Sequence, residues 1–293
     1  MKHSISPQII AFLLLICTTT TLANILEIKH DEYKLTKEKE LKVVIEVAFG
    51  SITIERGDKT MAAMMDYENG NDKEDFDISY EIVGETGKLK IKMKKATYTW
   101  GEGDDEDDAK EHRHRKRHLH LKLSDAVPTT FDIELGAGKG DFDFTDLQVK
   151  DIKISAGASS VTLKCNKPNA IAIDDISIES GVSKFSGKNL GNLNFHKMKF
   201  SGGLGSYKLD FSGAFHRKAI AKIDVGLGSV NVYIPKTTPA KVIYEDSWLS
   251  SFSIDDAFEN IKENVYVTPD FENAEKSLTI ELDAGLGNVS VSR

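Results

Sequence analysis

Cysteine is almost absent from this chain of 293 residues, which has only Cys17 and Cys165. If Cys17 is lost with an export signal, no internal disulfide can form, and an exported fold must then rest on its core. Long apolar runs are missing as well. The longest, Ile9 to Cys17, falls short of the roughly 20 residues that span a bilayer, so no transmembrane span is expected in the mature chain. Positive charge is in deficit: 38 Lys and Arg face 46 Asp and Glu, with a net charge of −8 and a pI near 5.6. That balance argues against nucleic acid as a partner. Motifs for catalysis are absent too. No serine sits in a nucleophile elbow, His30, His196 and His216 stand alone, and no cofactor motif is found, so the chain does not read as an enzyme.

What is present begins with Met1, Lys2 and His3, the short apolar run, Thr18 to Thr21, and Leu22-Ala23. A charged start, a short apolar stretch and a small-residue cut site make a secretory signal, residues 1–23, cleaved after Ala23. The mature protein is then exported, either periplasmic or secreted. Leu14-Leu15-Ile16-Cys17 approaches a lipoprotein box, but Ile16 stands where a small residue is required, so lipid anchoring at Cys17 is not expected. Cys165 follows Val161 and Leu163 in alternation and reads as a buried, inert thiol.

The dominant feature is a repeat. Seven stretches pair an apolar segment, a glycine or alanine, a Gly/Ser-rich pair and a second apolar segment. The anchors are Ala48, Gly138, Gly157, Gly181, Gly203, Gly226 and Gly285. Four residues after each anchor come Ile52, Phe142, Val161, Phe185, Tyr207, Val230 and Val289; three before come Ile45, Leu135, Ile154, Ile178, Phe200, Ile223 and Leu282. The central spacings of 19, 24, 22 and 23 residues suit one coil of a stacked solenoid. Val230, Val232 and Ile234 alternate with Ser229, Asn231 and Tyr233, a period of two that sends one set inward. The expected fold is all-β: a single-stranded β-solenoid of short coils with glycine turns, filling residues 24–293 as one domain.

Two gaps interrupt the repeat. The first holds a predicted hairpin, Phe76–Tyr80 and Lys88–Met93 around Gly84-Glu85-Thr86-Gly87, then an irregular charged loop over about 101–122. The second includes Trp248 to Ile261, where a short capping helix is expected to close the stack. Ile25 to Glu40 is expected to enter as an edge strand.

Within the charged loop six carboxylates, Glu102, Asp104, Asp105, Glu106, Asp107 and Asp108, precede a basic, histidine-rich run. If that run is extended, His112, His114, His118 and His120 share a face, while Leu119, Leu121 and Leu123 turn away. Four imidazoles could hold a transition metal or an anionic polymer, or sense pH. A solvated loop whose acidic and basic halves pair is the plainer reading, because alternating His and Arg lacks a ligand spacing and neighbouring cations repel a metal. Gly138-Lys139-Gly140-Asp141 and Gly202-Gly203-Leu204-Gly205 are read as repeat turns, not as a calcium or a nucleotide loop.

Leu135-Gly136-Ala137-Gly138 to Phe144, Ser155 to Leu163, and Asp224-Val225-Gly226-Leu227-Gly228-Ser229-Val230 resemble the bacterial toast-rack domain. Leu41 to Ile54 resembles the related putative-adhesin β-solenoid family. Tyr266, Pro269 to Phe271, Glu275 to Ile280 and Asp283 to Val289 are similar to the C-terminal domain of cell-wall-active antibiotics response proteins. The resemblance implies a β-solenoid of the bacterial envelope and supplies no catalytic residues. The chain lacks the membrane-spanning N-terminal part of the antibiotics response proteins, which sets aside a role in repressing a sensor kinase. Together these readings point to a non-enzymatic, adhesin-like or envelope-stress scaffold for an unknown protein or cell-surface polymer. Metal or polyanion binding at the histidines, and a carbohydrate-active enzyme on a solenoid, stand as the alternatives.

Overall fold

The computed structural model describes residues 28–68, 76–93, 117–245 and 249–293. The proposed signal, the acidic run, His112, His114 and Trp248 lie outside the described residues. The chain opens with β1 (Ile28–Lys34), β2 (Glu40–Arg56), β3 (Met61–Glu68), β4 (Phe76–Val83), β5 (Thr86–Met93) and β6 (His118–Leu123). Five long strands follow: β7 (Thr129–Asp143), β8 (Val149–Lys164), β9 (Ile173–Lys188), β10 (Phe195–Asp210) and β11 (Lys218–Tyr233). The chain closes with β12 (Ala240–Glu245), β13 (Ser250–Ile254), β14 (Glu259–Lys262), β15 (Val265–Val267) and β16 (Ser277–Ser292).

Each long strand is one rung, bent at its centre into two arms. In β11, Ile223 and Val225 point inward before the bend, and Val230 and Val232 point inward after it. The four residues between them shift the two-residue phase by one, so both arms face the same interior. Rungs β2, β7, β8, β9, β10, β11 and β16 stack in parallel in that order. Ile45, Ile133, Ile154, Ile178, Phe200, Ile223 and Leu282 form one buried column through the stack. The all-β solenoid read from the repeat is the fold observed.

One rung stands two residues from its expected register. Ile45 pairs with Ile133, and Gly138 lies opposite Gly50, so the counterpart of Ala48 in β7 is Gly136 and not Gly138. A slip of two preserves every inward and outward assignment, so alternation alone does not detect it. The cost of the true register is Gly140 at an inward position opposite Ile52. The ring of Phe142 fills that space, since a Cβ on Gly140 would lie 2.7 Å from its Cζ.

Both gaps in the repeat are end rungs broken at the bend. At one end β5 pairs with the first arm of β2 and β6 with the second. β5 and β6 are therefore the two halves of one rung. At the other end β12 and β13 pair with the two arms of β16. The capping helix expected over Trp248–Ile261 is not formed: Ser250–Ile254 and Glu259–Lys262 are strands. The open backbone edge of β16 offers partners to Ser-Ser-Phe-Ser-Ile, whose period is two, and Phe252 stacks on Tyr244 with ring centroids 4.2 Å apart. The predicted hairpin forms as β4 and β5, with a tighter turn at Gly84-Glu85 and φ of 66° at Gly84. β1 is the predicted edge strand, paired with β3.

In the last rungs the bend tolerates almost nothing beyond hydrogen at one position, where β8 and β9 carry Ser159 and Ser183. Gly228 and Gly287 have φ of 140° and 136°, a region L side chains rarely adopt. A Cβ on Gly228 would also overlap the carbonyl oxygen of Gly205 in the rung below. At Gly226 the nearest such oxygen, that of Gly203, would stand 3.2 Å away. Gly228→Ala is therefore expected to lower stability by about 2 kcal/mol or more and Gly226→Ala by less than about half of that, measured by urea denaturation.

Candidate functional site

Three surface features arise from this frame. The first is the histidine face. Alternation along β6 buries Leu119, Leu121 and Leu123 and turns His118, His120 and Lys122 outward. His118 and His120 have ring centroids 6.4 Å apart, and His120 Nε2 lies 2.8 Å from Glu55 Oε1. Across the strands His120 stands opposite Asp66, and Asp66 opposite His30. His30 Nδ1 lies 2.7 Å from Asp66 and its Nε2 2.9 Å from Glu32. Those hydrogen bonds, to Asp66 foremost, raise the proton affinity of His30. Burial lowers that of His118, and the neighbouring His120 adds to the effect.

The sequence marks His30 as isolated, because its neighbours arrive through the pairing of β1, β3 and β6 and nothing local announces them. Among the described residues no three His, Cys, Asp or Glu groups converge in a way that could hold a metal ion.

The second feature is a groove of about 550 Å³ where the return segments meet the first arms, lined by Lys150, Asp151, Asp174 and Asp175 among others. Partial burial raises the carboxyl of Asp151 above its ordinary range, and Asp175 and Asp132 push the same way. The folded state thus holds the Asp151 proton more tightly than the unfolded chain does. Its charge costs stability above the raised value, and the cost declines as pH falls through that value and is gone below the ordinary carboxylate range.

The third feature is the bend itself. At the centre of each bend one side chain must point out, away from both arms. Phe49 pairs with Ala137 and Ala137 with Ala158; Val182 pairs with Leu204, Leu204 with Leu227, and Leu227 with Leu286. The last four are 62%, 46%, 42% and 43% exposed. The fold does not demand apolar residues here, since a serine would point outward equally well. Beside this rail runs a row three residues earlier: Glu179, Ser201, Asp224 and Asp283, paired rung to rung. On the other flank Ser206 accepts a hydrogen bond from Ser229 at 3.1 Å, and Asn288 accepts one from Ser251 at 2.7 Å. A shallow groove of about 430 Å³ separates Ser155, Glu179 and Ser201 from Gly157, Gly181 and Gly203.

Cys165 is buried, donates to the carbonyl of Lys167, and has its thiol pushed up to about 12 by burial. Its burial is the one its place in the alternation suggested.

A stack of bent parallel rungs with glycine corners and flat polar flanks defines the class: an all-β solenoid scaffold. Residues 22–188, more than half of the chain, match the family described as the N-terminal domain of toast_rack, DUF2154. The chain belongs to this toast-rack family. The segment resembling the antibiotics response proteins lies beyond the matched residues. No curated protein matches the chain in sequence.

Among solved structures the chain is similar to a putative cell adhesion protein from Clostridium sporogenes ATCC 15579. The two are 15% identical over 91% of this chain and 99% of that one, with a TM-score of 0.44. It is also similar to a putative adhesin from Bacteroides fragilis NCTC 9343, at 12% identity over 90% and 97% of the two chains and a TM-score of 0.39. Likeness at this distance carries no function across.

Asp151→Asn is expected to leave stability at neutral pH unchanged or raised by up to about 0.5 kcal/mol. The stability of the native protein relative to this variant should rise as pH falls toward the ordinary carboxylate range, measured by urea melts of both proteins across pH.

Proposed function

We propose that this chain is an exported, non-enzymatic scaffold of the bacterial envelope that holds a partner at the bend of its solenoid, in the manner of an adhesin or an envelope-stress protein. The observation that carries the reading is the apolar column Val182, Leu204, Leu227 and Leu286, exposed in consecutive rungs without any demand from the fold. Repeated exposed apolar residues rimmed by polar rows mark interaction surfaces in soluble proteins. The partner is a protein or a cell-surface polymer, and the export signal 1–23 supplies the location. Toast-rack membership and the absence of catalytic motifs from the sequence agree with a binding role.

Beads carrying the purified protein are expected to retain material from isolated bacterial envelopes. Leu204→Ser/Leu227→Ser should reduce that retention roughly tenfold, as loss of two apolar contacts predicts. Equal retention by both proteins would remove the bend from the function.

A second reading rests on the outward pair His118 and His120 beside Glu55. With His112 and His114, which lie outside the described residues, they would bind a transition metal or a polyanion. Isothermal titration with zinc, copper and calcium, beside a variant with all four histidines replaced by alanine, decides it. Micromolar binding that disappears in the variant is the expected result, and no heat from the native protein ends the reading.

A further inference from the structure

We infer that the bend binds a basic amphipathic helix of a partner protein, laid along the solenoid axis with its apolar face on the rail and its lysines or arginines against the acidic row. This deepens the scaffold reading above and rests on it. Geometry comes first. The rail advances one side chain per rung, about 4.8 Å, while a helix presents one apolar anchor per turn of about 5.4 Å. The mismatch of roughly 0.6 Å per turn lets four consecutive anchors meet Val182, Leu204, Leu227 and Leu286 before they fall out of step. A polypeptide in extended form repeats its outward side chains about every 6.8 Å and would lose register within two rungs.

Charge comes second. Glu179 and Asp283 have no ion-pair partner among the described residues, and Asp224 has only Lys222 at 3.9 Å. The row stands three residues along each strand from the rail. That offset suits cationic side chains flanking the apolar stripe of a bound helix. The far flank runs Lys184, Ser206, Ser229 and Asn288 and carries no acid in these rungs, so the attraction is one-sided, Lys184 repels cations on that side, and the helix is oriented about its own axis.

The groove between the two rows completes the argument. The small residues Gly181, Ser201 and Gly203 lower its surface beside Val182 and Leu204, so a partner backbone can approach while its anchors reach the rail. An uncharged glycan would leave the unpaired carboxylates without a use. A second copy of this acidic chain would bring acidic rows near one another.

The test uses a synthetic helix of about 14 residues, with leucine at i, i+3, i+4 and i+7 positions and lysine elsewhere, labelled and titrated with the full chain by fluorescence anisotropy. Micromolar binding that weakens with added salt is expected. It should weaken at least tenfold in Leu204→Ser/Leu227→Ser and again in Glu179→Gln/Asp283→Asn, whose exposed substitutions leave the interior untouched. Glu259→Gln/Glu263→Gln, in the closing hairpin of β14 and β15, should bind as the native protein does. Equal binding of a peptide with glutamate for lysine, or binding indifferent to the rail substitutions, overturns the inference. So does a rail-dependent dimer, or rail-dependent binding of a neutral oligosaccharide, with no affinity for the basic peptide. If envelope retention depends on the rail while the peptide does not bind, the helix falls and the scaffold reading stands.

Discussion

Contact between the carbonyl oxygen of one rung and the Cα of a glycine in the next sets the geometry of most of the bends, with Ser159 and Ser183 standing at the same place in β8 and β9. At Gly228 over Gly205 and at Gly287 over Gly228, a hydrogen replaces the side chain that would otherwise separate neighbouring bends. Close stacking there lets both arms of each rung keep their backbone pairing through the bend. The four-residue bend then reverses the inward phase, so two sheets of side chains converge on a single interior. Without that reversal Val230 and Val232 would face solvent. Each buried aliphatic side chain contributes about 1.5–3 kcal/mol, so the loss would fall on the core itself.

The ends follow from the same constraint. A stack of parallel rungs would finish in open edges, which invite pairing with other chains. Here each end rung is split at the bend: at one end β4 covers β5 and β3 covers β6, and at the other β15 and then β14 extend from β12, while β13 pairs with β16 alone among the described strands. β2 and β16 are both inserted one rung inside the ends, so the first and last long strands are held on two sides. Arg293 fastens the last turn, donating to the carbonyls of Pro235, Lys236 and Thr238 and lying 5.3 Å from the ring centroid of Phe258. Buried Glu38 does similar work near the other end. Burial alone would raise its carboxyl, but hydrogen bonds from Tyr80, the backbone and Thr36 outweigh that and hold it at about 2.

A fold of this kind separates its roles cleanly. The interior accepts any well-packed apolar set, as Phe185, Phe200 and Tyr207 show by filling adjoining rungs with ring centroids 5.1 and 5.3 Å apart. The outer positions are free of packing demands, so a residue type that recurs there reports on what the surface meets. The apolar rail and its acidic neighbour recur on the bend, whereas the outward row formed by Lys208, Asn231 and Ser290 has no consistent chemistry.

Alternation and glycine spacing are local properties, and they alone determined that this chain is all-β, coiled and filled by Ile, Val, Leu and Phe. The inward set around Val230 and the outward turn of His118 and His120 needed nothing more, because period two is written in every rung. Tertiary structure decided what period two cannot distinguish. The true partner of Ala48 is two residues from the apparent one, since a slip of two keeps every face. The segment after Trp248 became strand, since an unpaired edge of β16 was waiting for it. The row of His30, Asp66 and His120, and the rail from Val182 to Leu286, join residues far apart in the chain. Such neighbours exist only once the rungs stack, because pairing across strands has no signature along them.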